Sequence, residues 1–319
     1  MENNKKVVPI AFAFDENLIL PAEVAICSLL QNALPTTFYD IYILYGNNVD
    51  LSGFGAQRIK EQYPNCNITL RNVGDLFAGA YEIRGITNVT YYRLLIPTLI
   101  PEYDKIIYSD VDVIFRDDLS HVYQSTLFED EYVAGVRALM HNISGYAEYY
   151  SEVLGLSPAD VIYAGNIIVN SKKIREDNLV DVFCEMTKQK FRFQDMDIIN
   201  IACKDRIKYL DPAFCVTTYF TEFAVNQIEK LKAHWSMSSI MKAIDFGIVH
   251  YNGQKPWKGY CVNFDIWWEY YRKSPFFDAK FYFYFFYSRL NEYDLLPLWK
   301  RIKILIRYFV YGRKKDGSC

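Results

Sequence analysis

Apolar residues along the first two hundred positions alternate between two rhythms. Val7 to Phe14 is a short, nearly continuous apolar run that ends in Asp15, the pattern of a buried strand. Pro21 to Gln31 then places Val24, Cys27, Ser28 and Leu30 at helical spacing. Tyr39 to Leu44 and Ile68 to Asn72 read as further strands, with a helix between them over Leu51 to Tyr63 that Pro64 stops. Tyr91 to Leu99 reads as helix up to Pro101, and Lys105 to Phe115 as strand. Farther on, Val161 to Asn170 is apolar with Gly165 inside it, Gln194 to Cys203 is a helix opened by acids, and Ile244 to Tyr251 is a late strand ending near His250. Such alternation predicts an α/β fold with a parallel sheet and helices on both faces. Ligands of such sheets collect at the carboxyl ends of the strands. Asp15 and the pair Asp110/Asp112 all fall at predicted strand ends, so one crevice can take all three.

The stretch IIYSDVDVIF, Ile106 to Phe115, carries two carboxylates inside an apolar run. Strand alternation turns Asp110 and Asp112 to one side and Val111 to the other. Two buried like charges are costly unless a cation neutralises them, and a hard divalent ion with oxygen ligands does so. A second stretch, HYNGQKPW from His250 to Trp257, offers a neutral imidazole, a glycine that permits close backbone approach at Gly253, and Lys255 just before a proline. Together the two supply three metal ligands and a cation for a phosphate.

Composition narrows the class. At 319 residues, 51% hydrophobic and 23% charged, the chain reads as a globular enzyme. A net charge of -3 gives no case for nucleic acid as a partner. Seven cysteines without CxxC spacing, Cys27, Cys66, Cys184, Cys203, Cys215, Cys261 and Cys319, read as reduced thiols of a cytoplasmic protein. The start of the chain shows no secretory signal, and no apolar run reaches the roughly 18 residues of a membrane span.

The aromatic share, 17% with Tyr 27 and Phe 22, is high and concentrates after residue 260. From Leu298 to Val310, Leu298, Ile302, Leu305 and Phe309 recur at helical spacing while Lys300, Lys303 and Arg307 share another face. Further basic residues, Arg301, Arg313, Lys314 and Lys315, crowd the same end. This is the composition of a basic amphipathic helix on an anionic membrane surface, or of one docked on the catalytic domain. FYFYFFY, Phe281 to Tyr287, suits an interfacial belt or a core.

Six motifs in order carry a resemblance: AFAFDEN (Ala11 to Asn17), TYYRLLIP (Thr90 to Pro97), YSDVDVIF (Tyr108 to Phe115), YAGNIIVN (Tyr163 to Asn170), FQDMDIIN (Phe193 to Asn200) and HYNGQKPW. Between about residues 7 and 260 the sequence resembles glycosyltransferase family 8, which contains bacterial lipopolysaccharide galactosyl- and glucosyltransferases and glycogenin. The resemblance implies the GT-A fold, a Rossmann-like nucleotide-binding mixed sheet flanked by helices, over residues 1–262, with an aromatic and basic helical segment at 263–319. It implies transfer of a hexose from a UDP-sugar to a glycan or glycolipid such as lipopolysaccharide core, with retention and with Mn²⁺, or Mg²⁺ in its place. It implies that Asp110, Asp112 and His250 hold the metal, and that Val111 lies in the nucleotide site. Lys255 and Gly253 would contact the diphosphate, Ala13, Asp15 and Asn17 would bind uracil and ribose, and Arg93 would reach the donor. Asp195 matches the family acid beside the transferring sugar.

The sequence departs from the family pattern in four places. One residue is missing between Gly253 and Lys255 relative to HxxGxxKPW, Met196 stands where relatives carry an amide, YAGN lacks the usual Asn-Ala-Gly order, and Ala138 stands where some relatives place an acid. The residues leave open whether retention proceeds through a covalent intermediate or by front-face attack, and the second is favoured because no carboxylate is an evident nucleophile. The rival readings are a non-catalytic nucleotide-sugar-binding relative, a DxD phosphohydrolase and a nucleotidyltransferase. The phosphohydrolase would carry its DxD on the first strand, and the nucleotidyltransferase usually has a glycine-rich loop that is missing after Ala11.

Overall fold

The computed structural model describes residues 5–83 and 85–311. Arg313, Lys314, Lys315 and Cys319, singled out in the sequence, lie outside the described residues. The strands are β1 (Lys6–Ala13), β2 (Thr37–Gly46), β3 (Cys66–Gly74), β4 (Ile106–Ser109), β5 (Val113–Ile114), β6 (Val133–Arg137), β7 (Ile162–Val169), β8 (Ile207–Tyr209), β9 (Val216–Thr217) and β10 (Val249–His250). Seven of them form one sheet in the order β3-β2-β1-β4-β7-β6-β8, and β5-β10-β9 form a second. Ile10, Phe12, Ile41, Ile43, Ile106 and Tyr108 are fully buried in the large sheet.

The sheet is mixed rather than parallel. β1 runs parallel to β2 and β4, but β7 is antiparallel to both β4 and β6. Every residue of β7 is buried, so its apolar run looks the same in either direction. Two antiparallel steps leave β6 pointing the same way as β4, and the carboxyl ends of β1, β4 and β6 share one edge.

The run Lys105 to Phe115 is not one strand. The chain leaves the large sheet after Ser109 and re-enters pairing only at Val113, opposite His250 in the small sheet. Asp110, Val111 and Asp112 form the step between the sheets. Their backbone stays tied down, because the Asp110 amide donates to the Gly165 carbonyl at 2.7 Å and the Asp112 carbonyl accepts from the Tyr251 amide at 2.9 Å. Ile244 to Tyr251 is also corrected: a helix, Met237–Phe246, takes its first residues and only Val249–His250 pairs as strand. Leu51 to Tyr63 is helical only over Ala56–Gln62, since Leu51 and Phe54 are buried in the approach to it. Tyr91 to Leu99 is mostly a tight 3-10 helix, Asn88–Leu95, that widens to a single α turn at Ile96–Leu99.

The chain divides into two compact units, one up to Pro275 and one from Phe276 on. The helix Phe264–Lys273 belongs to the first, where Trp267, Trp268 and Tyr271 are buried and the Tyr270 hydroxyl accepts from Asn32 at 2.9 Å. The second contains the helices Ala279–Leu290, Glu292–Leu295 and Leu298–Tyr311. In the last of these Leu298, Trp299, Ile306 and Phe309 are exposed, beside Lys300, Lys303 and Arg307. No described helix is long and apolar enough to cross a membrane. None of the six described cysteines is in a disulfide.

Candidate active site

The step from β4 to β5 and the end of β10 bring Asp110, Asp112 and His250 together. One ligand atom from each lies within 4.8 Å of the others. His250 Nε2 is 3.2 Å from Asp112 Oδ1 and 3.6 Å from Asp110 Oδ2. Burial opposes charge on the imidazole, but the Asp112 carboxylate outweighs it and raises the pKa above the ordinary histidine value. Burial also opposes charge on Asp112, yet Lys255 and His250 hold that carboxyl well below the usual range. Two carboxylates and an imidazole suit a divalent cation. Gly165 leaves these side chains room: a Cβ placed there would lie 2.3 Å from His250 Cε1 and 2.5 Å from Asp110 Oδ2, so only glycine lets the two sit where they do.

Arg93 connects this cluster to Asp195. Its guanidinium is 2.7 Å from Asp110 Oδ1 and 3.1 Å from Asp195 Oδ2, and it donates to the carbonyls of Thr90 at 3.0 Å and Ala164 at 2.8 Å. It also lies 4.3 Å from the centre of the Tyr108 ring. Asp195 accepts a second bond from the Thr90 hydroxyl. Burial pushes its carboxyl up to about 6, against the pull of Arg93 and Thr90. The preceding residue, Gln194, is buried with φ at 45°, a left-handed conformation that non-glycine residues rarely adopt. Its amide is anchored on the Tyr81 carbonyl at 2.9 Å. Asp197 is committed differently, accepting from the hydroxyls of Tyr149 at 2.7 Å and Tyr150 at 2.9 Å and from the Phe193 amide at 2.9 Å.

Lys255 bonds Asp112 and donates to the Tyr251 carbonyl at 2.6 Å. Gly253 is exposed, with no atom closer to its Cβ position than Thr218 Oγ1 at 3.9 Å. The Val111 side chain is packed away, 3% exposed, so only its backbone can reach a ligand. Ala13 ends β1, which pairs with β4 in a register that sets Ala11 beside Tyr108. Asp15 caps the turn that follows, accepting from the Asn17 amide at 3.0 Å, and Asn17 is exposed. Ala13, Asp15 and Asn17 therefore share the edge with the cluster without a bond to it among the described contacts. Thr90, Tyr108, Ala164 and Gly165 belong to the site although only their motifs, not their roles, were evident in the sequence.

Residues 9–261 match the family described as glycosyl transferase family 8. The chain belongs to glycosyl transferase family 8. Among family relatives it is 24% identical to glycosyltransferase GlyE of Streptococcus pneumoniae serotype 4 over 279 residues, 85% of this chain and 62% of GlyE. It is 23% identical to GlyF of the same organism over 283 residues, 82% of this chain and 60% of GlyF. The chain thus spans less than two thirds of the length of these relatives. The galactosyltransferase LgtC, solved with donor and acceptor sugar analogues, superposes with a TM-score of 0.68 at 22% identity, covering 86% of this chain and 98% of LgtC. The fold of this family 8 protein is the GT-A fold. In this frame Asp110 follows the fourth strand of the chain, which removes the main support for a DxD phosphohydrolase.

Proposed function

We propose that the protein is a retaining hexosyltransferase that moves glucose or galactose from a UDP-sugar to a glycan acceptor such as lipopolysaccharide core, forming an α-linkage with Mn²⁺ as its metal. The observation that carries this reading is the join of Asp110, Asp112 and His250 to Asp195 through one buried arginine. LgtC, of the same fold, is described as a complex with donor and acceptor sugar analogues, which supports a nucleotide sugar and a glycan as the two substrates here.

Bound at Asp110, Asp112 and His250, Mn²⁺ would supply a Lewis acid that offsets negative charge on the donor diphosphate. Every other contribution comes from side chains. Ala13, Asp15 and Asn17 hold uracil and ribose, and Gly253 leaves room for the diphosphate. Lys255 adds a second positive charge for the departing UDP. Arg93 fixes Asp195 relative to Asp110, and Asp195 orients hydroxyls of the donor sugar and stabilises positive charge at the anomeric carbon. Asp195 is engaged by Arg93 and Thr90, and Asp197 by two tyrosines, an arrangement that favours front-face attack over a covalent intermediate. In that step the bond from the anomeric carbon to the phosphate oxygen breaks as the bond to the acceptor oxygen forms. The acceptor proton passes to the departing phosphate oxygen.

The basic, apolar helix Leu298–Tyr311 is the part that would lie on an anionic membrane surface, at the cytoplasmic face where such acceptors are assembled. To test the chemistry, the protein is incubated with UDP-glucose or UDP-galactose, Mn²⁺ and a truncated core oligosaccharide, and the product is read by NMR. A new α-anomeric signal that Asp195→Asn abolishes is the expected result. UDP binding with no turnover of either donor would instead mark a non-catalytic relative.

A further inference from the structure

Two of the four histidines of the chain meet away from the catalytic cluster. His141 follows β6 in the short helix Met140–Asn142, and His234 follows the helix Ile228–Lys232. Their Nε2 atoms are 3.2 Å apart although 93 residues separate them in sequence. Tetrahedral zinc with Zn–N bonds of about 2.0–2.1 Å holds two imidazole nitrogens about 3.3 Å apart. The observed spacing is that of two ligands on one ion.

The segments that carry the pair pack on one buried apolar cluster. Leu139 and Leu231 are buried in one apolar cluster with Val216, Phe220 and Ile240, and Ile143 and Trp235 pack against it. In each ring Nε2 is the nitrogen that faces the other. The Asn142 side-chain amide lies 2.8 Å from His141 Nε2, and turning that amide over presents its oxygen to the same point. The positive charge of Arg137, which acts on both rings, is paired with Asp160 at 2.5 Å, which limits its repulsion of a cation.

We infer that His141 and His234, with Asn142 as third donor and water completing the shell, form a second metal site selective for a borderline-soft divalent cation such as Zn²⁺. It ties the segment after β6 to the turn after Ile228–Lys232. Its nitrogen-rich donors set it apart from the cluster of two carboxylates and one imidazole at the catalytic edge.

The test uses Zn²⁺ and the full chain. Asp110→Asn/Asp112→Asn removes the other site, and calorimetry of that variant should show one equivalent of zinc, weakened more than about ten-fold by adding His234→Ala. In parallel, ¹⁵N-detected imidazole spectra of the unmutated protein should show the Nε2 resonances of His141 and His234 moving together on zinc addition. Zinc binding that His234→Ala leaves unchanged, or Nε2 resonances that stay in place at saturating zinc, would mean that the two rings are only hydrogen-bonded and would overturn the site.

Discussion

Gly165 is a residue whose lack of a side chain the placement of His250 and Asp110 requires. A methyl there meets the His250 ring and the Asp110 carboxylate, and overpacking of this kind costs about 1–3 kcal/mol. Gly165→Ala is expected to weaken Mn²⁺ binding and to lower the unfolding midpoint modestly, read by paramagnetic resonance and urea titration; native Mn²⁺ affinity in this variant would refute the tight fit. Asp195 sets a pH dependence. Its carboxyl is raised to about 6 mainly by burial, so its contribution to stability is full below the unfolded value of about 4 and is lost as pH rises through 6. The ionised form is the one that stabilises positive charge, so the rate should fall about ten-fold per pH unit below 6. A flat rate between pH 5 and 7 would remove Asp195 from the chemistry. Asp197 behaves differently, being fully buried under two tyrosine hydroxyls. Asp197→Asn should cost about 1–3 kcal/mol of stability, because an amide N–H would face hydroxyl donors. Unchanged stability with lost turnover would show that it serves the substrate instead. The pair Asp110 and Asp112 stood out in the sequence because acids inside an apolar run are conspicuous. Gly165, Thr90 and the anchoring of Gln194 were not, because their importance lies in close approaches between segments distant along the chain.

At the scale of elements, the first half of the fold was readable because β1, β2, β3 and the helix Ile19–Gln31 keep one period from end to end. Where a period is interrupted the reading failed. The run Lys105 to Phe115 is apolar at both ends, yet the two ends belong to different sheets, and the break is the pair of acids itself. The late strand before His250 was overextended because Ile244 and Ile248 are apolar on either side of a helix end at Phe246. The direction of β7 was hidden by burial on both faces. The helix Leu298–Tyr311 kept its period, with apolar residues exposed beside a basic face. Replacing Lys300, Lys303 and Arg307 with glutamine should sharply reduce co-sedimentation with vesicles containing anionic lipid, at about 1 kcal/mol per charge. Retention on neutral vesicles equal to that on anionic ones would argue against an electrostatic membrane contact.

At the scale of the whole molecule, the GT-A fold and family membership support the chemistry proposed for the edge shared by β1 and β4, while the identity of the sugar rests on none of the residues described. The formal charge of -3 hides a basic end, where Lys300, Arg301, Lys303 and Arg307 crowd. What the molecule must do, if the edge is built as proposed, is bind UDP only with a metal. The deciding measurement is the melting temperature of the purified protein with UDP, first in Mn²⁺ and then in EDTA, beside Asp112→Asn. UDP at a hundred times its dissociation constant adds about 2.7 kcal/mol, a rise of several degrees. The rise is expected with UDP and Mn²⁺ together, and neither in EDTA nor in Asp112→Asn. An equal rise in EDTA, or no rise with saturating UDP and Mn²⁺, would contradict a metal-diphosphate site at Asp110, Asp112 and His250.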